Sequence, residues 1–186
     1  MIKQMFGKFR DLCVATTGSL LATSKKFWRT DLGNDIYVIR CDTVSRRSIE
    51  MFQKNFRADP PDTPIHYEGR VKISGMDFVW GYVHYTECAD FVLAGGLVVD
   101  SIIYRKMTPS QQDIVRNGGG LGDILMKTAC SKFSNKPIFA YIGEPRSRQL
   151  NIRVGFTLVS APHLFGKFNQ PISEEVLKQV IDVGPF

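Results

Sequence analysis

The sequence predicts an α/β (α+β) domain: a mixed central sheet flanked by helices, preceded by a helical N-terminal arm. Three observations lead there. Segments rich in β-branched and aromatic residues recur along the chain, as in Asp35–Cys41, Phe78–Tyr85 and Pro137–Ile142. Between them lie stretches with helical apolar periodicity, one opened by the run Asn117-Gly118-Gly119-Gly120-Leu121-Gly122-Asp123. The chain has 186 residues, 44% of them hydrophobic, which suits one domain with a sizeable core.

The arm comes first. Ile2, Met5, Phe6, Phe9, Leu12 and Cys13 share one helical face, with Lys3, Lys8 and Arg10 toward the other, a short basic amphipathic helix. Thr16, Thr17, Gly18 and Ser19 interrupt the apolar run a signal peptide would need. Residues 14–33 lack clean periodicity and read as a linker, so the domain boundaries are 1–33 for the arm and 34–186 for the domain. Residues 1–57 hold 11 Lys/Arg against 5 Asp/Glu, whereas the remainder holds 13 against 13. The net charge of +6 therefore belongs to the first third. It suits either an unspecific solvated surface or contact with an acidic protein, nucleic acid or anionic lipid.

Strand Asp35–Cys41 leads to a helix from Val44 to Phe56, capped by Asp42 or Thr43, with Val44, Ile49, Phe52 and Phe56 as buried positions. Asp59-Pro-Pro-Asp-Thr-Pro64 is an extended loop. Strands follow at Val71–Ser74, Phe78–Tyr85 and Phe91–Tyr104, the last either two strands bent at Gly95-Gly96 or one strand with a bulge. The glycine run then opens a helix to Phe133, with Leu121, Ile124, Leu125, Ala129 and Phe133 on one face. A glycine loop entering a helix is either a flexible turn or a site where first-turn N–H groups meet a phosphate. Strand Pro137–Ile142, a helix from Ser147 to Arg153 ending at Gly155, strand Phe156–Ala161 and a Ser173-capped helix to Ile181 complete the chain.

Some classes are set aside. No run of about 18 apolar residues suggests a transmembrane helix. Cys13, Cys41, Cys88 and Cys130 show no C-x-x-C spacing and do not cluster with His66, His84 or His163. They read as reduced thiols of a cytoplasmic protein, and no metal site is expected. No Lys-Ser or Lys-Thr follows the glycines, which excludes a nucleotide-binding P-loop.

Two regions in this order resemble the GNAT (Gcn5-related N-acetyltransferase) family over about residues 35–160. The family's phosphate pattern, [Gln/Arg]-x-x-Gly-x-[Gly/Ala] at a helix start, is similar to Asn117–Gly122, with Asn in the first place and Arg116 one residue early. Its second element, a strand and a short helix closed by Gly-Phe, is similar to Tyr141-Ile142, then Ser147 to Gly155-Phe156. The family often has Tyr four residues before that Gly, where this chain has Asn151. The segment Met107–Arg116 is longer than the family's usual linker.

The resemblance implies a cofactor, acetyl-coenzyme A, and direct acetyl transfer to an amine on a small molecule or protein. It implies that Arg116, Asn117, Gly118, Gly119, Gly120, Leu121, Gly122 and Asp123 hold the pyrophosphate, with Asp123 a charge of the wrong sign. The pantetheine arm would lie between Val98–Tyr104 and Pro137–Ile142. Asp100 would take the amine proton, with Glu87 in reserve, and Tyr104 or Tyr141 would protonate the thiolate. Surface exposure for Asp100 and core packing for the tyrosines are the alternatives. A second reading is an inactive GNAT-fold binding or structural protein. Ile142–Phe156 is loosely similar to GNAT-like internal virion proteins of short-tailed phages.

Overall fold

A computed structural model describes residues 28–62, 65–159 and 163–183. The expected arm helix at 2–13 lies outside them. The strands are β1 (Arg29–Gly33), β2 (Ile36–Cys41), β3 (Ile65–Ile73), β4 (Met76–Glu87), β5 (Val92–Val99), β6 (Ile138–Tyr141), β7 (Thr157–Leu158) and β8 (Leu164–Lys167). The helices are α1 (Arg46–Phe56), α2 (Ser101–Lys106), α3 (Pro109–Asn117), α4 (Leu121–Cys130), α5 (Pro145–Val154) and α6 (Glu174–Val183). The strands form one open mixed sheet in the order β1-β2-β3-β4-β5-β6-β8-β7. With helices on both faces, this is consistent with the GNAT-like α+β architecture expected.

Local chemistry explains the first half. Asn34-Asp35 and Ser74-Gly75 all have positive φ, so two-residue turns join β1 to β2 and β3 to β4 with a twist that matches the strands. Every neighbouring pair is antiparallel except β5·β6, whose parallel pairing requires the crossover through α2, α3 and α4. Leu121, Ile124, Leu125, Ala129 and Phe133 are all buried, as their spacing predicts, and a 3₁₀ turn at Ser131–Phe133 finishes the helix. That face of α4 packs on Tyr67, Val83 and Tyr85 in the main core. On the opposite face, Met51 and Phe52 of α1 cover Val79, Tyr82 and Val98, and Val180 of α6 packs with Leu93 and Phe139.

Several elements differ from the expectation. Residues 29–33, read as linker, form the edge strand β1, and Trp28 beside it stacks edge-on against Tyr67 with centroids 5.6 Å apart. Helix α1 is capped by Ser45, whose side chain accepts from the Ser48 amide, and Asp42 and Thr43 precede the cap. Phe52 is buried as expected, but Phe56 is 46% exposed. Strand β3 is nine residues long, more than twice the expected segment. Its acid is hidden: Glu68 accepts from the Ser48 hydroxyl at 2.6 Å and the Ser45 amide at 2.9 Å, and the half-buried Arg70 grips its other oxygen at 2.7 Å. Burial alone would raise the Glu68 carboxyl, but these donors hold it below its usual range.

The segment 91–104 is one strand with a bulge, then a helix. Tyr82 pairs with Val98 but His84 with Gly95, which leaves an extra residue in β5 where Gly96 has φ 59°. The strand stops at Val99 because the Asp100 side chain accepts from the Ile102 amide at 2.9 Å and caps α2. The presumed linker 107–116 is α3, with Pro109 in its first turn and a capping box between Thr108 and Gln111. Strand β7 keeps only two residues, and β8 was not foreseen. Among the described residues no helix is long and apolar enough to cross a membrane.

One position tests the packing of the sheet. Gly69 lies directly beneath the indole of Trp80, and any Cβ there would overlap the ring. Gly69→Ala should destabilise the fold by about 1–3 kcal/mol through overpacking, read as a lower urea midpoint with an unchanged slope. An unchanged midpoint would show that Trp80 moves freely aside.

Candidate functional site

The glycine run is a tight turn between α3 and α4. The Gly118 amide donates to the Ile114 carbonyl at 3.0 Å, Gly119 to Arg116 at 3.0 Å and Gly120 to Val115 at 2.9 Å. Gly119 and Gly120, at φ 94° and 119°, let the chain reverse within these bonds. The expectation that Gly118, Gly119 and Gly120 present their N–H groups to a pyrophosphate is therefore corrected: those donors already close the end of α3. The first-turn amides of α4 remain, but Leu150 of α5 packs so closely over Gly122 that a Cβ there would collide with it.

Asp123 completes the closure. Its carboxylate turns back over the glycines, with Oδ1 3.2 Å from where a Gly119 Cβ would stand. Arg153 of α5 holds it with two bonds, Nε at 2.9 Å and Nη2 at 2.8 Å. The Asp123 side chain is 3% exposed. An internal anion thus sits at the positive end of α4, and α5 supplies its counter-charge.

One cleft lies between β5 and β6. These strands pair over Val92↔Ile138, Leu93↔Phe139 and Ala94↔Ala140 and then part. Strand β5 bulges at Gly96, while β6 ends at Tyr141 and the Ile142 amide turns away to the His163 carbonyl, 2.8 Å off. The gap holds about 270 Å³. Val83, Ala94, Leu97, Met126, Ala140 and Ile142 make it apolar, and Tyr141, Glu144, Ser147 and Asn151 supply polar groups. The strands were expected to part along Val98–Tyr104; they part earlier, after Ala94 and Ala140, while β5 continues along β4 to Val99.

Asn151 is buried in this wall. Its Nδ2 donates to the Ser147 carbonyl at 2.8 Å, which fixes the amide, and its Oδ1 has no hydrogen-bond partner among the described residues. His84 lies across Gly95 and Gly96 against Phe52. Burial, with His66 nearby, pushes its pKa down to about 3, so the ring is neutral.

A second, open groove of about 470 Å³ is lined by Val99, Ser101, Tyr104, Val115, Arg116 and residues 119–122. Leu97 of the cleft and Leu150 meet over Gly122 of the groove, so these side chains stand between the two spaces.

The candidate residues are therefore dispersed. Tyr141 lines the cleft and Tyr104 the groove. Asp100 lines neither: it caps α2 and forms an ion pair with Arg47 of α1. Burial would raise its carboxyl, but the Arg47 hydrogen bond and the Ile102 amide hold it below its usual range. It is neither a solvent-facing strand residue nor an uncommitted base. Glu87 pairs with Lys136 at 2.9 Å beside the start of β5. Arg116 pairs with Asp113 and lies in the groove, Asn117 is the exposed last residue of α3, and Leu121 packs into the core. Leu150, Arg153, Ser147 and His84 were not anticipated as site residues, although the helix that carries the first three was expected over Ser147–Arg153; it starts two residues earlier, at Pro145 behind the Glu144 cap.

Two outcomes follow for stability. Arg153→Met strands the buried Asp123 carboxylate and should lower the melting temperature clearly more than Arg146→Met on the same helix, by scanning calorimetry; equal shifts would show the pair contributes nothing. For His84 the folded pKa of about 3 lies below the ordinary histidine value of 6.5. The unfolded chain binds the proton more readily in between, so stability is fully present above pH 6.5 and is lost as pH falls toward 3. The His84 share is about 1.4 kcal/mol per pH unit, and His84→Gln should remove it from denaturant titrations run between these limits.

No family model matches the chain, and no curated protein matches it. Among solved structures, a chain in the crystal structure of the KacTA–DNA complex is similar, with 15% identity and a TM-score of 0.42 over 72% of this chain and 83% of that one. A likeness that distant carries no argument about what this chain does.

Proposed function

We propose that this chain is a GNAT-like binding protein whose β5–β6 cleft takes an extended, amide-bearing arm of the coenzyme A type and holds it without acetyl transfer. The observation that carries this reading is the parting of β5 and β6 after Ala94 and Ala140. It opens an unpaired strand edge in mid-sheet, and a pantetheine arm, with its spaced amides, can pair with such an edge as an added strand does. The apolar walls suit the methylenes between the amides.

The arrangement supports binding over turnover. Acetyl transfer to an amine needs a group to take its proton and one to protonate the leaving thiolate. Asp100 is committed to Arg47 and the α2 cap, and Asn151, at the place the resemblance gives to Tyr, has no titrating proton. A second reading, N-acetyltransferase with acetyl-coenzyme A as donor and an amine as acceptor, is favoured by one observation: Tyr141 and Glu144 both line the cleft, with the Glu144 carboxylate also capping α5 through the Ser147 amide at 2.8 Å. A virion component of a phage is one form of the binding reading. The basic residues of 1–57, of which Arg46, Lys54 and Arg57 are exposed on or beside α1, support an acidic protein or nucleic acid as a further partner.

Calorimetry separates these readings. Because the glycine turn offers few donors and Asp123 places a negative charge there, acetyl-coenzyme A and acetyl-pantetheine should bind with affinities within about threefold, under roughly 0.7 kcal/mol. A thiol-release assay with a mixture of amines should show no turnover. Failure of both ligands to bind at millimolar concentration would sink the proposal. Thiol release above background would favour the second reading, and a large preference for the coenzyme would restore the glycine turn as a pyrophosphate site.

A further inference from the structure

Asn151 carries a contradiction that a ligand would resolve. The residue is 6% exposed, and its amide is locked by the bond from Nδ2 to the Ser147 carbonyl one turn earlier. That bond assigns the orientation, since a flipped amide would set two oxygens against each other. Oδ1 is left as a buried acceptor in the cleft wall without a donor among the described residues. A buried acceptor without a donor is costly, and such groups normally find a partner. The rest of the cleft wall is largely apolar, with Ala94, Met126, Ala140 and Ile142, and its other polar side chains, Tyr141, Glu144 and Ser147, make no hydrogen bond to Oδ1.

We infer that Asn151 is a specificity-determining residue whose Oδ1 accepts a hydrogen bond from a secondary-amide N–H of the ligand in the β5–β6 cleft. The inference rests on the proposed binding of a pantetheine-type arm and goes further by naming the recognising atom and the group recognised. It also fixes the polarity of the cleft at that point. An acceptor oxygen repels a developing thiolate, so the ligand group beside Asn151 is a donor and the sulfur lies elsewhere. The selected ligand is one with an N–H; an ester or an N-alkylated amide of the same length leaves Oδ1 unpaired and is rejected.

The test combines ligand affinity with stability, because a structural role and a recognition role move these in different ways. Asn151→Leu removes the acceptor at similar volume, and Asn151→Ala removes it without adding bulk should the leucine not be accommodated. Pantetheine binding by calorimetry should weaken about tenfold in either variant, while the urea midpoint of the ligand-free protein stays the same or rises. Methylating the pantetheine amide nitrogens should cost the wild type more affinity than it costs the variants. Wild type that binds pantetheine no better than the variants do overturns this inference and leaves the binding proposal standing. A lower urea midpoint with unchanged affinity also overturns it, since Oδ1 would then serve the fold. Wild type that binds no pantetheine at all overturns both.

Discussion

Three residue pairs hold the two parts of the sheet together. Strands β1 to β5 form one antiparallel meander, and β6, β8 and β7 form a second antiparallel set with β8 in the middle; among the described residues the only strand pairing between the two is Val92–Ala94 against Ile138–Ala140. Everything of functional interest depends on how short that seam is. A longer one would continue the sheet and leave no cleft; a shorter one would not fix the two halves in register. The bulge at Gly96 and the early end of β6 set its length, and the neutral His84 ring packed over Gly95 and Gly96 fills the space behind the bulge.

The helices above the seam reinforce it at a second point. Helix α4 packs on the first meander and α5 follows β6, and Asp123 with Arg153 joins them beside the glycine turn. A protein that grips a diphosphate needs that junction open, with amides and cations facing outward. Here the amides of the turn face the end of α3, the cation faces an internal carboxylate, and Leu150 covers Gly122. The same short segment that makes a phosphate cradle by its glycine content thus serves as a helix–helix joint.

The sequence showed the strands rich in β-branched and aromatic residues, the apolar face of α4 and the Ser173 cap of α6, because each depends on near neighbours. Strand β3 was under-read because His66, Glu68 and Arg70 look like surface residues until Ser45, Ser48 and Tyr82 are brought to them across the sheet. Asp100 looked like a strand residue because capping is a matter of where the next turn goes, although Thr108-Pro109 with Gln111 was a legible helix start. The glycine run misled for a specific reason: positive φ is needed equally by a tight reversal and by a phosphate loop, and only the partners of the amides distinguish them. The site residues Leu150, Arg153 and Asn151 come from α5, whose tertiary placement no local pattern encodes.

The shortness of the seam also bears on the order in which the molecule acquires its parts. The hairpins β1–β2 and β3–β4 close over two-residue turns, and β4–β5 closes over a short loop. Val92 must instead find Ile138 across the whole of α2, α3 and α4. Contacts of such long sequence separation carry the largest loop-closure cost and tend to be made late. The cleft has no walls until they are made. Competence to hold a ligand is then a property of the completed chain alone, and no partly folded form containing the first meander would possess it.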